Sequence, residues 1–402
     1  MIRVLFILGT RPEAIKLAPV ILHQKSRPEH FHVQVCVTGQ HRDLLHQVLQ
    51  VFRISPDFNL DVMLPGQTLC QSSARILSRL EEVVSSVTPD MVVVQGDTTT
   101  TLCGALVGAY QRVPVAHVEA GLRTGDMTQP FPEEMNRIIT SRLTNLHFAP
   151  TSSSRENLLR EGCNPASILV TGNSGIDAVL HIRDRLVRGE VRGYEEFTFD
   201  SSKKLILVTA HRRENFGAGF QRICRAVAQI ARRSDVQVVF PVHPNPEVRI
   251  IAENLLSKRA NVHLIPPVAY VEFVDLMRRA HIILTDSGGI QEEAPPLGKP
   301  VLLLREKTER MEGVLAGTVK LVGTSEEKIV SAVSDLLTNR RAYQAMSMVH
   351  TPYGDGKASA RITDSILAYF ERERCYRTTS ALQQMSRALS AWTQRLATAE
   401  AS

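Results

Sequence analysis

H-I-I-L-T-D-S-G-G-I-Q-E-E-A, His281 to Ala294, decides how this chain is built. An apolar run ends at Asp286, and Ser287, Gly288 and Gly289 then open a segment with helical spacing. A buried strand running through a glycine turn into a helix is the repeating joint of a parallel α/β sheet. Two residues without side chains also let backbone amides approach a diphosphate closely, and the start of a helix favours an anion. Glu293 follows one turn later, in place to accept hydrogen bonds from a ribose diol. The segment is not a Walker loop, since no Gly-Lys-Ser/Thr follows, and it lacks the G-x-G-x-x-G dinucleotide spacing.

The same rhythm extends in both directions. Strands are expected at Arg3–Leu8, Val33–Thr38, Met91–Gln95, Val115–Val118 and Leu146–Ala149, then at Leu205–Thr209, Val236–Val242, Val262–Ile265, Ile282–Thr285 and Val301–Leu304. Short apolar runs without strict alternation suit strands buried on both faces, hence parallel sheets. Segments such as Ala14–Gln24 and Phe220–Arg232 read as crossover helices. A charged, glycine-punctuated break at Arg183–Lys204 interrupts the strand pattern. The fold class is therefore α/β, with two doubly wound, Rossmann-like parallel sheets facing a cleft. The first domain is placed at 1–172 and the second at 173–354, with C-terminal helices over 355–402 rejoining the first. Leu382, Met385, Leu389, Trp392 and Leu396 form one apolar helical stripe, suited to docking on its own subunit or on a partner.

At 402 residues the chain is long enough for two domains at about 150 residues each. With 43% apolar and 22% charged residues it is an ordinary globular composition, not a disordered or fibrous one. Lys plus Arg (47) over Asp plus Glu (41) leaves only +6, scattered, and aromatics are 5%, which argues against a nucleic-acid partner. Six cysteines without a C-x-x-C pair read as reduced thiols, and the N-terminal apolar run is too short for a signal sequence. No stretch approaches the roughly 18 apolar residues of a membrane span, so a cytoplasmic protein is expected.

Other segments carry chemistry. Strand one runs into G-T-R-P-E-A-I-K (9–16), where Arg11 and Lys16 add positive charge to a helix start with Pro12 in its first turn. V-V-V-Q-G-D-T-T-T-T puts Asp97 just past a strand, and H-V-E-A-G-L-R puts Glu119 at the end of the next. P-F-P-E-E-M-N-R adds Glu133 and Glu134. Carboxylates gathered in a partly dehydrated cleft have the raised pKa values that proton transfer requires. From the second half, His211 in V-T-A-H-R-R-E-N and His243 in P-V-H-P-N-P lie past strands. No H-E-x-x-H, paired-cysteine or D-x-D motif occurs, so no metal is expected, and cations and helix starts must neutralise any phosphates.

Taken together, G-T-R-P-E-A-I-K (9–16), G-D-T-T-T-T (96–101), H-V-E-A-G-L-R-T (117–124), H-R-R-E (211–214), T-D-S-G-G-I-Q-E-E-A-P (285–295) and P-Y-G-D-G (352–356) resemble the non-hydrolysing UDP-N-acetylglucosamine 2-epimerases, a bacterial family of GT-B architecture. The resemblance covers about residues 1–370. It implies reversible conversion of UDP-N-acetylglucosamine to UDP-N-acetylmannosamine by elimination and re-addition of UDP through a 2-acetamidoglucal, feeding surface polysaccharide synthesis. It implies no cofactor, UDP-N-acetylglucosamine and UDP as ligands, and a homodimer. Asp97, Glu119 and Glu133 match the family's acid–base carboxylates, with Glu133 favoured over Glu134 by motif position, and His211 matches a histidine near the leaving phosphate. Arg11, Lys16, Ser287, Gly288, Gly289 and Arg310 match contacts to the substrate and its diphosphate, Glu293 the ribose ligand, and Val268 and Phe273 the uracil site. Gln40, Gln67, Arg212 and His243 fall in segments similar to an allosteric site for a second UDP-N-acetylglucosamine. T-E-R-M-E at 308–312 departs from the expected T-E-R-P-E, and Gly175 replaces a β-branched residue, without removing a reactive group. The alternative reading is a metal-independent retaining GT-B glycosyltransferase using a UDP-sugar.

Overall fold

The computed structural model describes residues 1–39, 42–348 and 352–375. The first sheet contains β1 (Ile2–Leu8), β2 (Phe31–Val37), β3 (Phe58–Asn59), β4 (Met91–Gln95), β5 (Val115–Val118), β6 (Leu146–Ala149) and β7 (Ile168–Val170). The second contains β8 (Lys204–Thr209), β9 (Val236–Pro241), β10 (Val262–Ile265), β11 (Ile282–Thr285), β12 (Val301–Leu303) and β13 (Val319–Leu321). Their orders are 3-2-1-4-5-6-7 and 10-9-8-11-12-13, and every pairing is parallel. This is the expected α/β architecture of two doubly wound sheets. Central strands such as Met91–Gln95 are buried at every residue, which is why they read as unbroken apolar runs.

In each sheet the order reverses beside its first strand, between β1 and β4 and between β8 and β11. Crossover connections diverge to opposite faces at such a point and leave a crevice at the strand C-termini. The segments after β1 and β4 carry Arg11, Lys16 and Asp97, and those after β8 and β11 carry His211 and Ser287–Gly289. The helix Thr99–Tyr110, which follows Asp97, lies close on its sheet. A Cβ added to Gly104 would stand 2.8 Å from Val94 Cγ1, and one added to Gly108 would stand 2.6 Å from Val115 Cγ2.

The chain passes from the first sheet to the second between Val170 and Lys204, beginning with Gly172–Ser174, and returns through 352–358. These two passages touch. Gly172 and Gly354 have φ of +87° and +136°, and a Cβ on Gly172 would come within 3.0 Å of Gly354 Cα, so only glycine fits. Asn173 N–H donates to Tyr353 O at 2.6 Å. A helix over 358–375 follows, with Ile362 and Ile366 fully buried, Arg361 donating to Thr171 O at 3.1 Å, and Asp364 paired with Arg27, two residues past the helix Arg11–Lys25. The apolar stripe from Leu382 to Leu396, and Gln40, lie outside the described residues. No described helix is long and apolar enough to cross a membrane.

Candidate active site

On the first sheet, buried Glu13 ties two of the quoted segments together. Its Oε2 accepts from Gly9 N at 3.0 Å, Thr10 N at 2.7 Å and Thr10 Oγ1 at 2.8 Å. Its Oε1 accepts from Thr98 Oγ1 at 2.7 Å and Thr101 Oγ1 at 3.1 Å. The loop bearing Arg11 is thereby fixed to the loop bearing Asp97. Three residues past Glu13, Lys16 donates to both Glu119 oxygens at 2.6 Å, and Gln95 Nε2 donates to Glu119 Oε2. Glu119 is only 8% exposed and adopts φ +65°, a backbone region uncommon for a side-chain-bearing residue. Burial raises its pKa, although the Lys16 charge opposes that shift.

Asp97 receives Arg137 Nη2 at 2.6 Å and Nε at 3.0 Å, and its backbone oxygen receives Asn136 Nδ2 at 2.8 Å. The helix Glu133–Leu143 supplies both partners, so Asp97 is aimed by a fixed element. Glu134 belongs to that scaffold. It is fully buried and accepts from Thr124 N at 3.0 Å, Gly125 N at 3.1 Å and Arg137 Nη1 at 2.8 Å. Glu133, by contrast, has a buried Oε2 without a hydrogen-bond partner.

On the second sheet, the fully buried Asp286 accepts from the backbone of His211 and Arg212 at 2.9 Å each and from Asn215 Nδ2 at 3.0 Å. His211 Nδ1 lies 3.5 Å from Asp286 Oδ1, and its ring stacks on His243 with centroids 5.8 Å apart. Burial lowers the His211 pKa, favouring neutral imidazole at pH 7. The Arg310 guanidinium lies over Gly288: a Cβ there would be 2.8 Å from Nη1. Arg310 Nε donates to Glu292 Oε1 at 2.5 Å, and Nη1 pairs with Glu309. Met311, exposed, starts the next short helix and leaves this pairing intact. Glu293 stands beside Gly289, and burial pushes its pKa up to about 7 against the opposing charges of Lys16 and Arg11. Val268 and Phe273 are half-buried around the start of the helix Tyr270–Arg279.

Charges on the two sheets face one another. Lys16 is buried, which disfavours its charge, yet Glu119 and Glu292 together hold its pKa above the ordinary value. Arg11, exposed, is close enough to influence both His211 and Glu293. The fold thus gathers Arg11, Lys16, Glu119, His211, Glu293 and Arg310 about one cleft. Among the segments similar to an allosteric site, His243 joins His211, whereas Gln67 Oε1 accepts only the local Leu64 N at 2.8 Å and its Nε2 is buried without a partner. Sequence reasoning missed Glu13, Gln95, Arg137, Asn173, Glu292 and Tyr353. Glu13, Gln95, Arg137, Glu292 and Tyr353 stood inside quoted segments, and only their partners in the fold mark them out. Among the described residues, no three His, Cys, Asp or Glu side chains group to hold a metal ion.

Two parallel sheets with cationic loops and carboxylates at facing switch points define an enzyme of the GT-B architecture. The family model described as UDP-N-acetylglucosamine 2-epimerase matches residues 23–367, and the chain belongs to that family. It is 52% identical over 370 residues to the UDP-N-acetylglucosamine 2-epimerase of Escherichia coli (strain K12), covering 90% of this chain and 98% of that one. It is 48% identical over 373 residues to that of Bacillus subtilis (strain 168), covering 92% and 96%. The crystal structure of UDP-GlcNAc 2-epimerase from Neisseria meningitidis bound to UDP-GlcNAc superimposes with a TM-score of 0.84 at 45% identity, over 91% of this chain and 100% of that one.

Proposed function

We infer that this chain interconverts UDP-N-acetylglucosamine and UDP-N-acetylmannosamine, releasing neither sugar from UDP at the end of a turnover. The observation that carries this reading is the buried Glu119 carboxylate, held by Lys16 on one sheet within the field of Arg310 on the other. A base beside cations suits an elimination, because the C2 proton is removed while negative charge develops on the departing diphosphate.

The steps follow from that arrangement. A carboxylate takes the C2 proton, the C1–O bond breaks with its electron pair leaving on UDP, and a C1=C2 double bond forms, giving 2-acetamidoglucal. Re-addition of UDP at C1 and delivery of a proton to the opposite face of C2 complete the inversion. Two proton-transfer groups on different sides of the sugar are needed, and Asp97, Glu119 and Glu133 are assigned to this work. Glu133 is preferred to Glu134 because Glu134 is consumed by three hydrogen bonds of its own scaffold. Arg310, Arg11, Lys16, His211 and the amides at Ser287–Gly289 receive the diphosphate. Glu293 takes the ribose, while Val268 and Phe273 border the uracil.

The same reading places the chain in the cytoplasm as a homodimer, treats 1–172 rejoined by 355–402 and 173–354 as its two domains, and assigns its product to surface polysaccharide synthesis. It also assigns Gln40, Gln67, Arg212 and His243 to a second UDP-N-acetylglucosamine site. The test is to incubate the chain with UDP-N-acetylglucosamine alone and follow the anomeric protons by NMR. An equilibrium mixture of two intact UDP-sugars is expected. Substrate that stays unchanged until an acceptor is added would contradict the reading and point to a glycosyltransferase.

A further inference from the structure

Four side chains and two backbone oxygens form a closed ring between the phosphate-reading arginine and the point where the chain crosses between sheets. Asn173 Nδ2 donates to Glu292 Oε2 at 2.5 Å, and Arg310 Nε donates to Glu292 Oε1 at 2.5 Å. Tyr353 Oη donates to Arg310 O at 2.9 Å, and Asn173 N–H donates to Tyr353 O at 2.6 Å. Asn173, Glu292 and Tyr353 are each no more than 4% exposed, so water does not compete for these bonds. Two further bonds tie the ring to its surroundings. Asn173 Oδ1 accepts from Gly175 N at 2.8 Å, capping the helix Ser174–Val187, and Tyr353 Oη accepts from Gly313 N at 2.9 Å.

Both chain passages between the sheets therefore belong to the ring, Asn173 to the outward passage and Tyr353 to the return. Arg310 belongs to it as well, with the far side of its guanidinium over Gly288, where the diphosphate is assigned. We propose that Glu292 is a positioning residue that couples occupancy of the diphosphate site to closure of the two sheets. When a diphosphate draws the guanidinium towards Gly288, Glu292 follows, because separating a buried ion pair is strongly unfavourable. Asn173 is held by the other oxygen of the same carboxylate, and it carries the first turn of Ser174–Val187, which packs on Arg11–Lys25 of the first sheet. A displacement at the phosphate is thus delivered to the helix bearing Arg11 and Lys16. The proposal rests on the reading of Arg310 as a diphosphate contact.

UDP is the probe. In the unmodified full chain, saturating UDP is expected to slow amide exchange at 172–174 and 353–355 and to reduce the radius of gyration in small-angle scattering. Glu292→Gln cannot accept from both Arg310 and Asn173, since its amide nitrogen meets a donor on one side. It is expected to bind UDP within about tenfold of the unmodified chain but without compaction, and to lose more than about tenfold in kcat with little change in KM. Asn173→Asp keeps the oxygen that caps Gly175 N but offers Glu292 no amide donor, so it breaks the same path and decides the matter if Glu292→Gln fails to fold. Compaction by UDP in either folded variant as in the unmodified chain would overturn the coupling. So would unchanged exchange at both passages in the unmodified chain with UDP bound. Arg310→Ala separates the two claims: if it binds UDP as tightly as the unmodified chain, the diphosphate assignment itself fails, whatever the Glu292 variant does.

Discussion

Glu133 and Glu134 are adjacent in sequence and opposite in surroundings. Replacing Glu134 with Gln keeps one oxygen for the two amides but turns an amide nitrogen towards the Arg137 donor, at a cost of about 1–3 kcal/mol. Its thermal midpoint should fall. Glu133→Gln should leave the midpoint unchanged and, like Asp97→Asn and Glu119→Gln, lower turnover of UDP-N-acetylglucosamine by at least about a hundredfold. Wild-type rates in all three would refute the carboxylate assignment. Glu293 offers a test in pH. Burial raises its pKa from 4.5 unfolded to about 7 folded, so the native state binds more protons between those values. Its contribution to stability is therefore fully present below about pH 4.5 and is lost as pH rises through about 7. Denaturant titrations of Glu293→Gln should show a smaller loss of stability across that window than the unmodified chain. The residues legible in sequence were those whose type announces chemistry at a strand end, such as Asp97 and His211. Glu13, Arg137 and Glu292 were not, because their role is to hold another residue, and that depends on contacts between distant segments.

At the scale of elements, legibility followed burial. Strands enclosed on both faces, such as Met91–Gln95 and Ile282–Thr285, were located to the residue because continuous apolar runs have few other uses. The strands not expected, Phe58–Asn59, Ile168–Val170 and Val319–Leu321, all lie at sheet edges and are two or three residues long. Edge strands are half-solvated, so their sequence carries little pattern. The closeness of the helix Thr99–Tyr110 to its sheet was not legible in the sequence. Gly104 and Gly108 let it approach. Gly104→Ala should therefore be destabilising despite alanine's better helix propensity, by about 1–3 kcal/mol of overpacking. Chemical denaturation reads this directly, and a neutral or stabilising result would mean the helix can shift away.

For the whole molecule, the cations of the site are balanced on the spot by carboxylates and do not carry the positive surplus of the sequence. Arg11, Lys16 and Arg310 meet in one cleft with Glu119, Glu292, Glu293 and Glu309, and Lys16 and Arg310 are held there in ion pairs. On the proposed assignment, a diphosphate entering there takes cations that carboxylates already hold, which links binding to the freeing of a base. On the proposed mechanism, two similar sheets serve one purpose, which is to enclose a sugar while UDP is detached from it. The most direct measurement is turnover of UDP-N-acetylglucosamine alone in D₂O, followed by NMR of the intact UDP-sugars. The account predicts UDP-N-acetylmannosamine carrying deuterium at C2. Product that retains the original C2 hydrogen, or substrate that exchanges nothing and forms no epimer, would contradict it.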